Sequence, residues 1–309
     1  MGKKPLLIRR ESDIQCEPKF SVFCVGYENK RWRAKELVRD FFRRHLASFA
    51  LCYSEWKEID ADSAAAALSR SARMVYATDK YKRRGEIGEL ILHGILRDFY
   101  DAEPAVSKLY YADGPNETAK GFDAVHVVVN DEHQLDLWLG EAKLYDDMND
   151  AIRAIVASLQ EHVDQDFLRR EFLAVTNKFD AGWQYKEELS DLLDDNTSLD
   201  VIVERIVMPV LLTYGSDVVS RYDEVSDAYT LDLIEEARNA WRKFQAKLPI
   251  DFPVTIYFIV LPLENTAEVR DIAHEVLMRY QSLYREEVVR NGNGGLRGAQ
   301  STSSIYAEP

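Results

Sequence analysis

The sequence predicts an α/β fold, and three observations carry that expectation. Helical apolar spacing recurs at 30–49, 63–75, 80–99, 146–163, 186–194, 231–247 and 266–289. Short apolar runs of strand length alternate with those segments, at 20–25, 106–111, 122–129, 135–144, 172–176, 201–214 and 254–263. Over about 80–178 the order is helix, three strands, helix, strand, which sets out a core with α/β extensions on either side.

Each element has a local reason. The helix at 63–75 is rich in alanine, with Asp62 or Ser63 as its N-cap. The helix at 80–99 carries a stripe of Ile87, Leu90, Ile91, Ile95 and Phe99 that asks to be buried. A Gly-Pro-Asn turn at 114–116 follows the strand at 106–111. The strands at 122–129 and 135–144 flank the polar turn 130–133 and read as a hairpin. The helix at 146–163 opens on Asp146, Asp147 and Asp150, where the macrodipole favours acids. No internal repeat or linker interrupts 60–290. The chain therefore divides into an N-terminal extension (1–79), a core (80–180) and a C-terminal region (181–290) entangled with it. Residues 291–309, rich in Gly, Ser and Asn, are expected to be a disordered tail.

Composition narrows the function classes. The 309 residues suffice for a large core, and 46% hydrophobic with 30% charged residues is an ordinary globular balance. No apolar run approaches the roughly 18 residues that cross a bilayer, and the N-terminal Leu6-Leu7-Ile8 is too short for a secretory segment. Cys16, Cys24 and Cys52 are odd in number and fit no zinc spacing, which indicates a reducing cytoplasm. A net charge of −14 is a poor footprint for nucleic acid. Basic residues nevertheless cluster at 30–44 (Lys30, Arg31, Arg33, Lys35, Arg39, Arg43, Arg44) and at Lys80, Lys82, Arg83 and Arg84. For either cluster alone a solvated helix face is the plainer reading. So acidic a chain would handle DNA through a local basic groove or through a partner that supplies the grip, and the partner is favoured.

The hairpin holds the chemistry. Glu141 and Lys143 project from one face of their strand, roughly 7 Å apart. A turn centred on Glu132 sets Asp123 opposite Glu141, with Cβ atoms about 4.5–5.5 Å apart. A slip of one residue would break that pairing. Two carboxylates so close repel each other, and a Mg²⁺ or Mn²⁺ ion held by their oxygens and water would relieve the repulsion. Such an ion polarises a phosphoryl oxygen and acidifies water. Lys143 would orient the water or neutralise charge growing on the phosphate. Leu135, Leu137 and Leu139 share this face, so its charges are expected at the edge of an apolar surface. On the preceding helix Glu86, Glu89 and His93 fall within about 60° of one another and form a polar strip. Glu89, and after it Glu86, are candidates for a third acid on the metal. The alternative is an exposed face paired with Lys82 or Arg97. His93, His126 and His133 have no metal spacing, and Glu-x-Lys alone carries no specificity.

The segment 84–178 resembles the PD-(D/E)XK nuclease superfamily, with Gly121-Phe122-Asp123 as first motif and Gly140-Glu141-Ala142-Lys143 as second. Phe122 stands where that superfamily usually has proline. More narrowly, Arg84-Gly-Glu-Ile-Gly-Glu-Leu-Ile-Leu-His93 together with those motifs is similar to the HamA family, nuclease subunits of the bacterial Hachiman anti-phage defence system. The resemblance implies a restriction-endonuclease-like core of helix, three-stranded mixed sheet, helix and strand. It implies Mg²⁺-dependent DNA cleavage by Asp123, Glu141 and Lys143, with Glu89 or Glu86 as the helical acid. It also implies a superfamily 2 helicase partner, HamB, in a heterodimer. Two other classes stay open. One is a catalytically silent module of the same fold that binds nucleic acid or a partner. The other is a metal-dependent hydrolase of small phosphate esters, which would need a closed pocket rather than an open groove.

Overall fold

The computed structural model of the chain describes residues 4–75, 85–107 and 121–293. Its strands are β1 (Ile8–Asp13), β2 (Lys19–Cys24), β3 (Tyr27–Glu28), β4 (Arg31–Trp32), β5 (Glu103–Val106), β6 (Ala124–Val129), β7 (Leu135–Leu144), β8 (Ile206–Gly215) and β9 (Thr255–Leu263). The first helices are α1 (Ala34–Ala50), α2 (Tyr53–Lys57), α3 (Ala64–Val75), α4 (Glu86–Phe99) and α5 (Met148–His162). They are followed by α6 (Gln165–Thr176), α7 (Lys186–Leu192), α8 (Leu199–Val203), α9 (Asp217–Arg221), α10 (Asp227–Gln245) and α11 (Thr266–Asn293).

Seven strands form one mixed sheet in the order β1-β2-β9-β8-β7-β6-β5, and β3 with β4 makes a separate small hairpin. β5, β6 and β7 are an antiparallel meander. From β7 onward β8, β9 and β2 run parallel, and β1 closes the far edge antiparallel. β8 and β9 are apolar almost throughout, as parallel strands must be when helices cover both faces. α4 covers one face, with α1, α3 and α11 packed around it. α5 covers the other, beside α10.

The α/β expectation holds, and four details differ from it. The sheet has seven strands rather than a small core sheet, because β1 and β2 from the N-terminal segment join it alongside β9. Residues 172–176 are not a strand. They end α6, whose Leu168, Phe172 and Val175 are buried at helical spacing behind an N-cap in which Asp164 accepts from Phe167 N at 3.0 Å. The strand that follows the crossover from β7 is β8, which starts at Ile206 because 199–203 is the helical turn α8. The helix expected from residue 30 starts at Ala34, since Asn29 and Lys30 turn the β3–β4 hairpin with positive φ of 50° and 62°.

The start of the helix expected at 80, the basic cluster 80–84, most of 106–111, the turn 114–116 and residues 294–309 of the tail lie outside the described residues. Among the described residues no helix is long and apolar enough to cross a membrane. All three cysteines are free thiols.

The site-bearing strand is fixed from behind by close packing and by a buried polar chain. His93 of α4 lies 3.0 Å from His126 of β6 and 2.9 Å from Ser48 of α1, ring nitrogen to partner atom. Burial, with Arg97 nearby, pushes His126 down to about 3, so the ring is neutral at ordinary pH. Gly140 lets β7 meet its neighbours, since a Cβ there would lie 2.8 Å from Leu92 Cδ2 and 2.9 Å from Ala124 Cβ. Gly140→Ala should therefore destabilise the fold by about 1–3 kcal/mol. Urea denaturation checks this, and a midpoint unchanged from the parent would contradict the packing.

Candidate active site

The β6–β7 hairpin is in the register the turn implied. Ala124 pairs with Gly140, Val125 with Leu139, and the ladder runs down to Val129 opposite Leu135. One step beyond it Asp123 stands opposite Glu141. Asn130 sets the turn, its side-chain oxygen accepting from Glu132 N and Gln134 N at 3.0 Å each.

Asp123 closes the mouth of the hairpin. Its amide donates to Gly140 O at 2.9 Å, and its Oδ2 accepts from Ala142 N at 2.9 Å. The chain enters through Gly121, whose φ of +116° no side-chain-bearing residue adopts without strain. A Cβ there would also collide with the Glu171 carboxylate.

Glu141 is more deeply placed than an edge position, at 4% exposure. The reason is its neighbours in the sheet and above it. β8 flanks it, with Val210 beside Glu141 and Leu212 beside Lys143, and α5 lies over it. Glu141 Oε1 sits 2.5 Å from Lys143 Nζ, and its other oxygen 3.6 Å from His162 Nδ1. Ser158 of α5 faces the carboxylate and favours its charged form. Burial and then the Asp123 charge push Glu141 up to about 7, against the pull of Lys143 and Ser158. Burial works against the Lys143 ammonium, but Glu141 and Asp123 outweigh it and raise that group.

The structure thus brings Asp123, Glu141 and Lys143 together, while the α4 acids approach from elsewhere. A Cβ on Gly88 would touch Leu144 and Ala142 at 3.6 and 3.8 Å. α4 therefore packs on the face opposite Glu141 and Lys143. Glu86 lines a small cavity between α1, α4 and α11 that Arg270 also lines. Glu89, in the same first turn, lies with Oε1 3.5 Å from where a Gly85 Cβ would stand. His93 leaves the strip entirely for the core. Among the described residues no group of three or more His, Cys, Asp or Glu is arranged to hold a metal. The Asp123–Glu141 pair nonetheless offers hard oxygen donors, and Glu141, raised by burial first and by the Asp123 charge second, is a carboxylate whose charge a divalent cation would stabilise.

Ser158 and His162 were not singled out in the sequence. They stand one turn apart on α5, beside the buried stripe of Ala151, Ile152, Ile155, Val156 and Leu159. Polar residues at that spacing against an apolar stripe were the available signal.

A profile of the HamA family matches residues 4–277, which includes the whole sheet and every residue of the site. The chain belongs to the HamA family. It is also similar to Anti-bacteriophage protein A of Escherichia coli (strain K12), 24% identical over 196 residues, covering 61% of this chain and 35% of that protein. The matched part thus spans about a third of the length of that curated relative. Within this HamA-family chain the two sequence motifs are the two sides of one hairpin mouth, Gly121-Phe122-Asp123 leading into β6 and Gly140 to Lys143 ending β7.

A raised carboxyl binds its proton more tightly in the folded than in the unfolded chain. Stability contributed this way is intact below the usual value of 4.5 and is lost as pH rises through about 7. Without divalent metal the parent should lose on the order of 2 kcal/mol between those limits relative to Glu141→Gln. Paired melting curves across that range check it, and parallel profiles for the two proteins would contradict the burial of a charged Glu141.

Proposed function

We propose that this HamA-family chain is a metal-dependent DNA nuclease of bacterial anti-phage defence, built on a PD-(D/E)XK core and controlled by a helicase partner. The observation that carries the reading is the meeting of Asp123, Glu141 and Lys143 at one hairpin mouth, two carboxylates and one ammonium where β7 leaves the core. The order α4, β5, β6, β7, a helical crossover from α5 through α8, and β8 supports the core, with β8 parallel to β7. The name of the E. coli relative supports the defence role.

Asp123 and Glu141 would hold Mg²⁺ or Mn²⁺; the candidate third acids, Glu89 and after it Glu86, start α4 on the opposite face of the sheet and would have to reach the ion around the end of β7. Bound there, the ion would neutralise phosphoryl charge and acidify an attacking water. Asp123 is positioned for that work by two backbone contacts to β7, so it needs no reorganisation. Lys143 holds its proton, and its ammonium is the donor for charge that grows on the phosphate. Ser158 and His162 face the Glu141 carboxylate from the α5 side, His162 Nδ1 at 3.6 Å.

Plasmid degradation with Mg²⁺, in the presence of the co-encoded helicase, is the direct test. Lys143→Ala and Glu141→Ala should each lower the rate at least about a hundredfold while circular dichroism stays that of the parent. Turnover equal to the parent would remove this site from consideration.

The net charge of −14 leaves the isolated chain little attraction for DNA at physiological salt. The free chain should therefore be nearly inactive there, and activity should rise on titration with the helicase. Residues 181–290 are the favoured docking region, with the basic helix 30–44 as a second candidate. Full activity of the chain alone, unmoved by the helicase, would leave a free-standing nuclease.

A further inference from the structure

Outside the site, the basic helix α1 meets α11 along an open groove of about 480 Å³. Four arginines line it, Arg33, Arg39, Arg43 and Arg279, over an apolar floor that includes the Tyr280 ring. On α1 the exposed Lys35, Arg39 and Arg43 stand at four-residue spacing, a row of charge about 12 Å long.

The acids of the groove do not cancel this row. Asp40 is engaged by the fold, accepting from Leu6 N at 3.3 Å and from Arg44 at 3.1 Å, and it holds Arg43 only at 3.4 Å. Glu36 is the other acid on the wall, and Arg279 pairs at 3.7 Å with Glu275, both side chains being exposed. Arg33 has its Nε buried there with no hydrogen-bond acceptor. In a chain of net charge −14, such a concentration of guanidinium groups marks a surface for an anion.

The geometry selects which anion. A single phosphate calls for converging donors, whereas these are strung out along a helix. Nucleic acid carries one negative charge per nucleotide along its strand, so a strand laid along the row would meet several of its charges in succession. Guanidinium planes and an aromatic ring are also the surfaces on which unpaired bases rest. The groove lies on the α4 side of the sheet, the face opposite Glu141 and Lys143, and α11 connects it to the end of β7. Arg270, at the start of α11, donates to Leu144 O at 2.6 Å, one residue from Lys143. Positions 276–280 lie about 9–15 Å further along the same helix.

We propose that the α1–α11 groove binds a single strand of nucleic acid by its phosphates, on the face of the sheet opposite Glu141 and Lys143. The assignment rests on the nucleic-acid reading above and extends it to a surface which that reading does not use. The test is fluorescence anisotropy of a labelled oligothymidylate of about twelve nucleotides, without divalent metal, from about 20 to about 200 mM salt. The full chain is compared with Arg39→Glu/Arg43→Glu/Arg279→Glu and with Arg242→Glu, an exposed arginine of α10 outside the groove. The triple variant should bind at least about tenfold more weakly at low salt, with a log–log salt slope shallower by about two. Arg242→Glu should stay within about twofold of the parent. If melting shows the triple variant unfolded, Arg39→Gln/Arg279→Gln replaces it, with a loss of about threefold or more expected.

Affinity and slope unchanged in a folded groove variant would overturn the proposal. So would an equal loss in Arg242→Glu, or a parent that fails to bind even at low salt. Polyglutamate binding the groove better than the oligonucleotide would overturn it in favour of an acidic protein surface. Binding is read without metal and cleavage with it. A groove that binds, in a chain that does not cleave, leaves this inference standing while the nuclease reading falls.

Discussion

The burial of a charged Glu141 beside Asp123 is the constraint on which the rest of this molecule turns. Two carboxylates placed on facing strands repel each other, and burial strengthens the repulsion because little water remains to screen it. The fold offsets part of that cost with Lys143 at 2.5 Å, the Ser158 hydroxyl and the nearby His162. The remainder stays visible as a carboxyl raised to about 7. A cation at this mouth, as proposed above, would stabilise the charged form of both carboxylates.

The scaffold around the pair is correspondingly stiff. β8 and β9 lie parallel beside β7 with apolar residues on both faces, so the strand carrying Glu141 and Lys143 cannot shift without moving the centre of the sheet. Arg270 and Thr213 tie down its last carbonyls, at Leu144 and Lys143. Behind it the neutral His93–His126 pair and Gly140 hold α4 and β6 close. Rigid first-layer support is what a preorganised electrostatic site requires.

Much of this was legible in the sequence because it is local. The turn 130–133 and the alternation of β7 gave both the bounds of that strand and the register that pairs Asp123 with Glu141. The stripe of α4 likewise announced its buried face. What was hidden depends on distant parts of the chain. β2 pairs with β9 across most of the sequence, for example Phe20 with Phe258, and no local pattern encodes that. β1 is charged and bulged, as edge strands are when they avoid pairing with other chains, and it does not look like a strand. Residues 172–176 are apolar and β-branched enough to suggest a strand, yet the wider spacing of Leu168, Phe172 and Val175 is helical. On α4 the helical wheel grouped Glu86, Glu89 and His93. The tertiary structure then sent His93 into the core and left the two acids half-buried in the first turn.

Metal at the hairpin mouth is the claim on which the functional reading stands. Crystals of the chain soaked in Mn²⁺ and measured at the manganese absorption edge would locate the ion directly. The expected result is an anomalous peak bounded by the Asp123 and Glu141 carboxylates, absent from crystals of Asp123→Asn. No peak between those two residues, or a peak elsewhere that survives Asp123→Asn, would contradict it.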